Sequence, residues 1–271
     1  MIHAEKPAAA LQQFVRYYAQ LKDHFPAQTF VQPVPARTAI TLEFTLGTPY
    51  EVWSGDQSRH ETAYPVAVIG AQTYRRVHLA MQGHVEAFVI LFQPGGLSRL
   101  FSVPPDALTN QHFDGRAVLG RSMDELRCRL GEAESIAERI RIADKFLLAR
   151  VPHSSHSAVT AAARELHKHL GCPRISGLAE RAGLSLRQFE RRFISEVGVS
   201  PKLYARVARF EAALEIKMRV PGLRWTDIAH DLGYHDQMHM VHDFRLLSGS
   251  TPSDLAPRMD IFVSAEIGGT H

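Results

Sequence analysis

The stretch "ERAGLSLRQFERRF", Glu180 to Phe193, places a Gly between two helix-like halves. Ser185 follows that Gly as a side-chain cap, and Gln188 stands three residues on, where a capping box needs it. Gly183 supplies a left-handed turn that ends a helix without a Cβ penalty. Phe189 and Phe193 are four apart and share one helical face; Arg187 and Arg191, one turn apart, share the opposite one. The stretch predicts helix, turn, helix, with the second helix buried on its Phe stripe and basic on its outer side. Helical bundles use such geometry often, so the flanking sequence decides what it means.

Sliding the C-terminal half against itself by 50 residues aligns Ser176 with Thr226, Leu178 with Ile228, Ala179 with Ala229 and Gly183 with Gly233. One extra residue then makes the offset 51. Ser185 falls on Asp236, Phe189 on Met240, Phe193 on Phe244, Gly198 on Gly249, Ser200 on Thr251 and Pro201 on Pro252. Ser176 and Thr226 read as helix N-caps. Ser200-Pro201 and Thr251-Pro252 read as cap-plus-N1 pairs starting a further helix. The helix-turn-helix is therefore present twice, which sets a plain helical bundle well behind. Ser200 to Met218 reads as one connecting helix with Leu203, Val207, Phe210 and Leu214 inside, ended by Pro221-Gly222. At about 1.5 Å per residue it spans roughly 27 Å, close to the roughly 34 Å between successive major-groove faces of a duplex.

The first half has a different period. "TAITLEFTLG" alternates, with Ile40, Leu42, Phe44 and Leu46 on one face and Thr41, Glu43 and Thr45 on the other, so it predicts a half-buried strand. "EVWSG", "PVAVIG" and "RRVHLAM" read as short strands, and "HVEAFVILFQPGG" as a central strand stopped by Pro94-Gly95-Gly96. Met123, Leu126 and Leu130, then Ile136, Ile140, Ala143 and Leu147, recur at helical spacing and predict two closing helices. "ARVPHSSHS", Ala149 to Ser157, reads as a linker. The expected fold is a two-domain α+β protein. Its N-terminal domain, residues 1–152, is a β-rich barrel or sandwich with closing helices. Its C-terminal domain, residues 153–260, is all-α, two helix-turn-helix units joined by a linker helix; residues 261–271 form a tail. Aromatic residues such as Phe44, Tyr50 and Trp53 suggest a small-molecule pocket in the strand-rich half, although ordinary core explains each one.

The formal charge is +3. Between His153 and Asp260 there are 15 Lys and Arg against 12 Asp and Glu, and 16 of each elsewhere, so the whole excess lies in the C-terminal part. That favours an anionic partner there, although a solvated helical surface explains the charge equally well. Cys128 and Cys172 are too few for a disulfide framework or a four-Cys metal site, and they fit a reducing cytoplasm. No stretch reaches the roughly 18 apolar residues of a membrane helix, and the N-terminus lacks the pattern of a secretory signal. His235, His239 and His242 lie at i, i+4 and i+7, a face that could take a metal, but "HDQMH" lacks a metalloprotease Glu. "PGG" at Pro94 to Gly96 has no Lys-Ser/Thr after it and is not a phosphate loop. "GCPR" at Gly171 to Arg174 reads as a turn rather than as a reactive Cys. No nucleophile–base set is found, so neither an enzyme nor a cofactor is expected.

Residues Ser157 to Arg258 resemble the C-terminal DNA-binding domain of the AraC/XylS family of bacterial transcription regulators. The stretches "ISGLAERAGLSLRQFERRFISEVGVSPKLYARVARFEAAL" and "WTDIAHDLGYHDQMHMVHDFRLLSGSTPSDL" carry the likeness. The second has the family's Gly-aromatic-x-Asp-Gln entry and its Gly-x-Thr-Pro close. "TLEFTLGTP" and "VILFQPGGLSRLFSVPPDALT" more loosely resemble a poorly characterised β-rich domain found ahead of this module. The resemblance implies a cytoplasmic regulator, an activator rather than a repressor, whose partners are the major groove of double-stranded DNA and RNA polymerase. It also implies an N-terminal domain that takes a small-molecule effector or pairs two copies into a homodimer, and no membrane. By position it puts groove-facing sites at Arg187, Glu190 and Arg191 in the first unit and at Met238, His239 and His242 in the second. Arg grips guanine O6 and N7 with two hydrogen bonds, and Glu190 can accept from cytosine N4. Arg192 is expected to hold a phosphate or face solvent. The family commonly has Arg where His242 stands, a small polar residue at Met238 and an aromatic at Met240. Those departures leave open a partner-binding protein with a degenerate DNA module, or a metal-responsive one using the His235/His239/His242 face.

Overall fold

The computed structural model describes residues 2–54, 59–74, 77–152 and 157–256. Residues 153–156 of the expected linker, at the expected 152/153 boundary, and the tail 261–271 lie outside the described residues. Eight strands form one antiparallel sheet: β1 (Ile2–Glu5), β2 (Val15–Val34), β3 (Thr41–Thr45), β4 (Glu51–Ser54), β5 (Arg59–Thr62), β6 (Val66–Ile69), β7 (Val77–Phe92) and β8 (His112–Asp114). The main path runs β1-β2-β7-β3-β6-β8, and β4 with β5 branches from β7. β2 pairs with β7 along both their lengths, with register shifts between Val15/Tyr17 and Phe25/Phe30. On its other edge β7 pairs with β3 at Ala87 to Leu91 and with β4 at Val77 to Ala80. One long strand thus serves two neighbours in turn. The sheet splits into two lobes and stays open, so neither a closed barrel nor two separate sheets forms.

Two readings of the N-terminal half need correction, and two strands went unread. "RRVHLAM" and "HVEAFVILF" are not separate strands; from Val77 onward the chain runs through Gly83 as the single strand β7. β1 and β2 had no sequence signal, since Lys22, Asp23, His24 and Pro26 break the alternation of β2 and its pairing with β7 supplies the order instead. β3 has the expected strand period, yet both its faces are buried: Thr41 is 1 % exposed, Glu43 7 % and Thr45 3 %. Its apolar face joins the main core, where Leu42 and Phe44 cluster with Phe88, Ile90, Met123 and Leu147. Four helices belong to this half: α1 (Gly96–Phe101), α2 (Gly115–Leu119), α3 (Ser122–Glu132) and α4 (Ile136–Leu148). The last two bury Met123, Leu126, Leu130, Ala143 and Leu147 as their spacing predicts.

The rest is helical: α5 (Ala158–Lys168), α6 (Ile175–Arg181), α7 (Leu186–Val197), α8 (Pro201–Arg219), α9 (Trp225–Asp231), α10 (Gln237–Ser248) and α11 (Pro252–Leu255). Two apolar clusters divide it. Phe189, Phe193, Leu178 and Ala179 pack with α5 and Tyr204. Met240, Phe244, Ile228 and Ala229 pack with Phe210 and Leu214. α8 contributes to both, so one helix welds the two units.

The two halves touch in named places. The Ala36 N–H donates to the Leu247 carbonyl at 2.9 Å, and Ala36 belongs to the second helical cluster. Thr38 donates its N–H and its hydroxyl to the two carboxylate oxygens of Glu211 on α8, at 3.0 and 2.8 Å. The Thr109 hydroxyl donates to the Gly198 carbonyl at 2.9 Å.

Candidate nucleic-acid interface

The turn ahead of α7 is built as the sequence implies. Gly183 has φ +67° and Gly233 has φ +66°, a conformation an L side chain resists, although a Cβ at either would meet open space. Each turn closes with the same two bonds, Gly183 N to Glu180 O and Leu184 N to Ala179 O, then Gly233 N to His230 O and Tyr234 N to Ala229 O. Ser185 caps α7 in a full capping box with Gln188, and Asp236 caps α10 by accepting from the His239 N–H at 2.7 Å. That bond and His235 hold the Asp236 carboxyl below its usual range. Ser200 and Thr251 also cap as expected. Ser176 and Thr226 do not: the N-caps of α6 and α9 lie two residues earlier, at Arg174 and Arg224, and neither makes a side-chain cap bond. In α9 the Arg224 guanidinium turns forward to Asp227 instead, with both bonds at 3.0 Å.

With Phe189 and Phe193 fully buried, the opposite side of α7 faces out. Arg187, Glu190 and Arg191 are exposed, and among the described residues none makes a side-chain hydrogen bond or ion pair. Arg192 differs. Its Nε and Nη2 lie 3.1 and 3.0 Å from Glu196 Oε1, and Ser157 donates to the other oxygen of that carboxylate. Arg192 is thus committed within the domain, and the i, i+4 spacing to Glu196 was the available signal.

On α10 the outward residues are Met238, 69 % exposed, with His239 and His242. The His239 ring stands edge-on to Tyr234 at 5.6 Å. His242 Nδ1 is 4.0 Å from Asp243, and His235 Nδ1 is 3.1 Å from Asp236. The rings turn to separate neighbours, and among the described residues no group of three or more His, Cys, Asp or Glu could hold a metal ion. Sequence reasoning missed Arg245. It is exposed, has no side-chain partner among the described residues, and continues the Met238–His242 face at i+7.

The N-terminal half holds a second concave site. The polar face of β3 looks into a cavity of about 320 Å³. A smaller one of about 60 Å³ adjoins it, and both are walled by Arg37, Glu43, Tyr50 and Leu79. Tyr50 donates its hydroxyl to Glu43 Oε1. Burial raises the Glu43 carboxyl and the Tyr50 phenol above their ordinary values. Of the aromatics singled out in the sequence, Tyr50 lines this cavity, Phe44 is core, and Trp53 stacks on His60 at 4.8 Å.

Comparison with known proteins agrees with this geometry. Residues 178–258 match the family described as "Helix-turn-helix domain". Residues 3–114 match a "Domain of unknown function (DUF6597)". No curated protein matches significantly. Among solved structures, ToxT from Vibrio cholerae superposes with a TM-score of 0.50 at 9 % identity, over 89 % of this chain and 97 % of that one. Wild-type ToxT of Vibrio cholerae strain SCE256 bound to an unsaturated fatty acid gives 0.50 at 9 %, over 88 % and 95 %. The AraC-like transcriptional activator CuxR matches at 15 % identity over 72 % of this chain and 75 % of that one, with a TM-score of 0.29 that supports no argument. The likeness to ToxT is one of fold: an N-terminal antiparallel sheet domain ahead of a helical domain. Among the described residues no helix is long and apolar enough to cross a membrane.

Proposed function

We propose that this chain, which carries an AraC-type helix-turn-helix domain behind an open antiparallel sheet, is a sequence-specific DNA-binding transcription regulator. One observation carries the reading. On the capped helix α7, Arg187 and Arg191 stand exposed and unpaired among the described residues, while the adjacent Arg192 is tied to Glu196. Two guanidiniums one turn apart at the front of a recognition helix suit bidentate contacts to guanine. Glu190 between them suits a cytosine amino group. Phosphate contacts come from the remaining surface cations and set affinity rather than sequence. The N-terminal domain is read as the effector sensor. Its support is the cavity beside β3 and the ToxT fold, one structure of which holds a fatty acid. Activation through RNA polymerase, and pairing into a homodimer, rest on family resemblance alone.

Binding-site selection on random duplex DNA with the full chain tests the reading. It should enrich a motif whose strongest positions answer to α7, with a second element about 10 base pairs away. Absence of any enriched motif would refute it. The exposed Met238 favours a second reading for the second unit, as a surface that docks protein rather than bases. A motif with a single half-site would support that reading.

A further inference from the structure

We propose that the cavity beside β3 binds a small organic acid, its carboxylate held by Arg37 and its apolar body lying along Leu79 and the inner lobe beyond. The binding stands apart from the regulator reading, and only its consequence for DNA rests on that reading. Three observations point to this chemistry. First, Arg37 is presented rigidly. Its backbone N–H donates to Gln72 O at 2.8 Å, and Gln72 N donates back to Arg37 O at 2.9 Å. The guanidinium makes no hydrogen bond or ion pair among the described residues, and its Nε is shut from solvent without a partner. A buried unpaired donor is costly, and a planar guanidinium fits a carboxylate edge-on with two bonds.

Second, Thr41 is 1 % exposed, lines the inner lobe, and its hydroxyl also lacks a partner. Third, the carboxylates on the walls have neighbours of their own: Glu43 accepts from the Tyr50 hydroxyl and feels the Arg37 charge, and Glu61 lies 3.6 Å from His112 Nε2. Among the described residues of both lobes, the donors shut from solvent without an acceptor are therefore Arg37 Nε and the Thr41 hydroxyl, and Glu43 offsets the Arg37 charge only in part because its carboxylate is shared with Tyr50. The remaining lining of the inner lobe is apolar, including Leu21, Met81 and Leu91. A volume of about 320 Å³ sits at the small end of ligand cavities.

The same residue sits in the strap that crosses to the helical half. Ala36 and Thr38, on either side of Arg37, bond to Leu247 at the end of α10 and to Glu211 on α8. An acid drawn onto Arg37 acts on both anchors at once, and α8 is the helix that joins the two units.

Calorimetry on the full chain without DNA tests the site. The probes are phenylacetate and octanoate, their uncharged amides, and phenethylamine. The acids should bind ~10-fold or more tightly than the amides. Arg37→Met should erase that preference, and Arg37→Lys should keep part of it. Glu43→Gln removes the negative charge beside Arg37 and should tighten the acids alone, a readout that survives if Arg37→Met fails to fold. Acids no better than amides, a preference for the amine, or an acid preference kept by Arg37→Met would overturn the site. On DNA enriched by selection, saturating phenylacetate should change affinity by ~5-fold or more. Thr38→Val should abolish that change while keeping acid binding. Affinity unmoved by bound acid would overturn the relay. Failure to enrich any DNA would strike the regulator reading and leave the acid titration to be judged alone.

Discussion

Helices α7 and α10 bury equivalent residues, Phe189 and Phe193 against Met240 and Phe244, all at 0 % exposure. They enter from the same glycine turn and leave at Gly198 and Gly249, both with positive φ. Their outer faces diverge. Arg187 corresponds to Met238 and Arg191 to His242, so two permanent charges give way to a thioether and an imidazole. At the next position the contrast inverts. Arg192 is exposed and bound to Glu196 within its own helix, whereas its counterpart Asp243 is 3 % exposed and held by Arg206 of α8 at 2.6 Å. The N-terminal half holds both units, the first at Gly198 through Thr109 and at Arg164 through Gln13, the second at Leu247 through Ala36, and it also bonds Glu211 of the shared helix α8. One scaffold thus carries two outer faces, one with cations free among the described residues beside an exposed ion pair and one with neutral side chains at the equivalent positions beside a buried pair to α8.

The largest expected difference lies at that ionic position. Asp243→Ala leaves the partly exposed Arg206 guanidinium without its carboxylate and should cost about 1.5–3 kcal/mol in denaturant unfolding. Arg192→Ala removes a largely exposed i, i+4 pair and should cost under about 1 kcal/mol. Equal costs would erase the distinction between a buried and an exposed ion pair at this position.

The next difference is read on DNA. Arg191→Ala should weaken binding to the selected site by about 1–3 kcal/mol and relax preference at one base pair. His242→Ala, at the equivalent place, should cost less than half of that, measured at one salt concentration because salt alone moves such affinities strongly. A larger loss at His242 would make the second unit the reader. Arg245→Ala sharpens the point: if it costs as much as Arg191→Ala, the second unit reads from one turn further along α10.

Local signals were legible and enclosed ones were not. Ser185, Ser200, Asp236 and Thr251 are caps because short side chains at a change of backbone direction bond two or three residues ahead, and sequence displays that spacing directly. Cap position itself slipped at Ser176 and Thr226, two residues past the true caps, because Arg174 and Arg224 are not residues that announce a cap. The repeat made Arg187 and Arg191 visible and also contained Arg245, which stands against the apolar Ile194 of the first unit and so attracted no notice. The cavity was hidden for a different reason. Alternation along β3 separates apolar from polar residues but cannot say whether the polar face meets bulk water or an enclosed space. Glu43 looked like a solvent-facing residue and is a buried one. The strap at Ala36 to Thr38 has no local pattern, since the partners of Ala36 and Thr38 lie more than 170 positions away on α10 and α8 and that of Arg37 is Gln72 in another loop.

The smallest expected effect separates the two units by pH. α5, which packs under the first unit, carries His167, whose Nδ1 is buried without a partner. Burial, and then the positive charge of Arg16 across the domain contact, push its pKa well below the ordinary value of 6.5. The folded protein therefore keeps His167 neutral where the unfolded chain would take up a proton. Its contribution is fully present above about pH 6.5 and is lost as the pH falls below that, by at most about 1.4 kcal/mol per pH unit. Thermal melts of the full chain between pH 8 and pH 5 should show that acid limb, and His167→Gln should make it shallower by up to about 1 kcal/mol at pH 5.5. Hydrogen exchange places the loss: it should appear first in amides of α5 and α7, with α10 still protected by its Asp243–Arg206 anchor. Equal slopes for wild type and His167→Gln would mean that the histidine carries no such linkage. A first loss in α10 would mean that the second unit, not the first, is the one that loosens with acid.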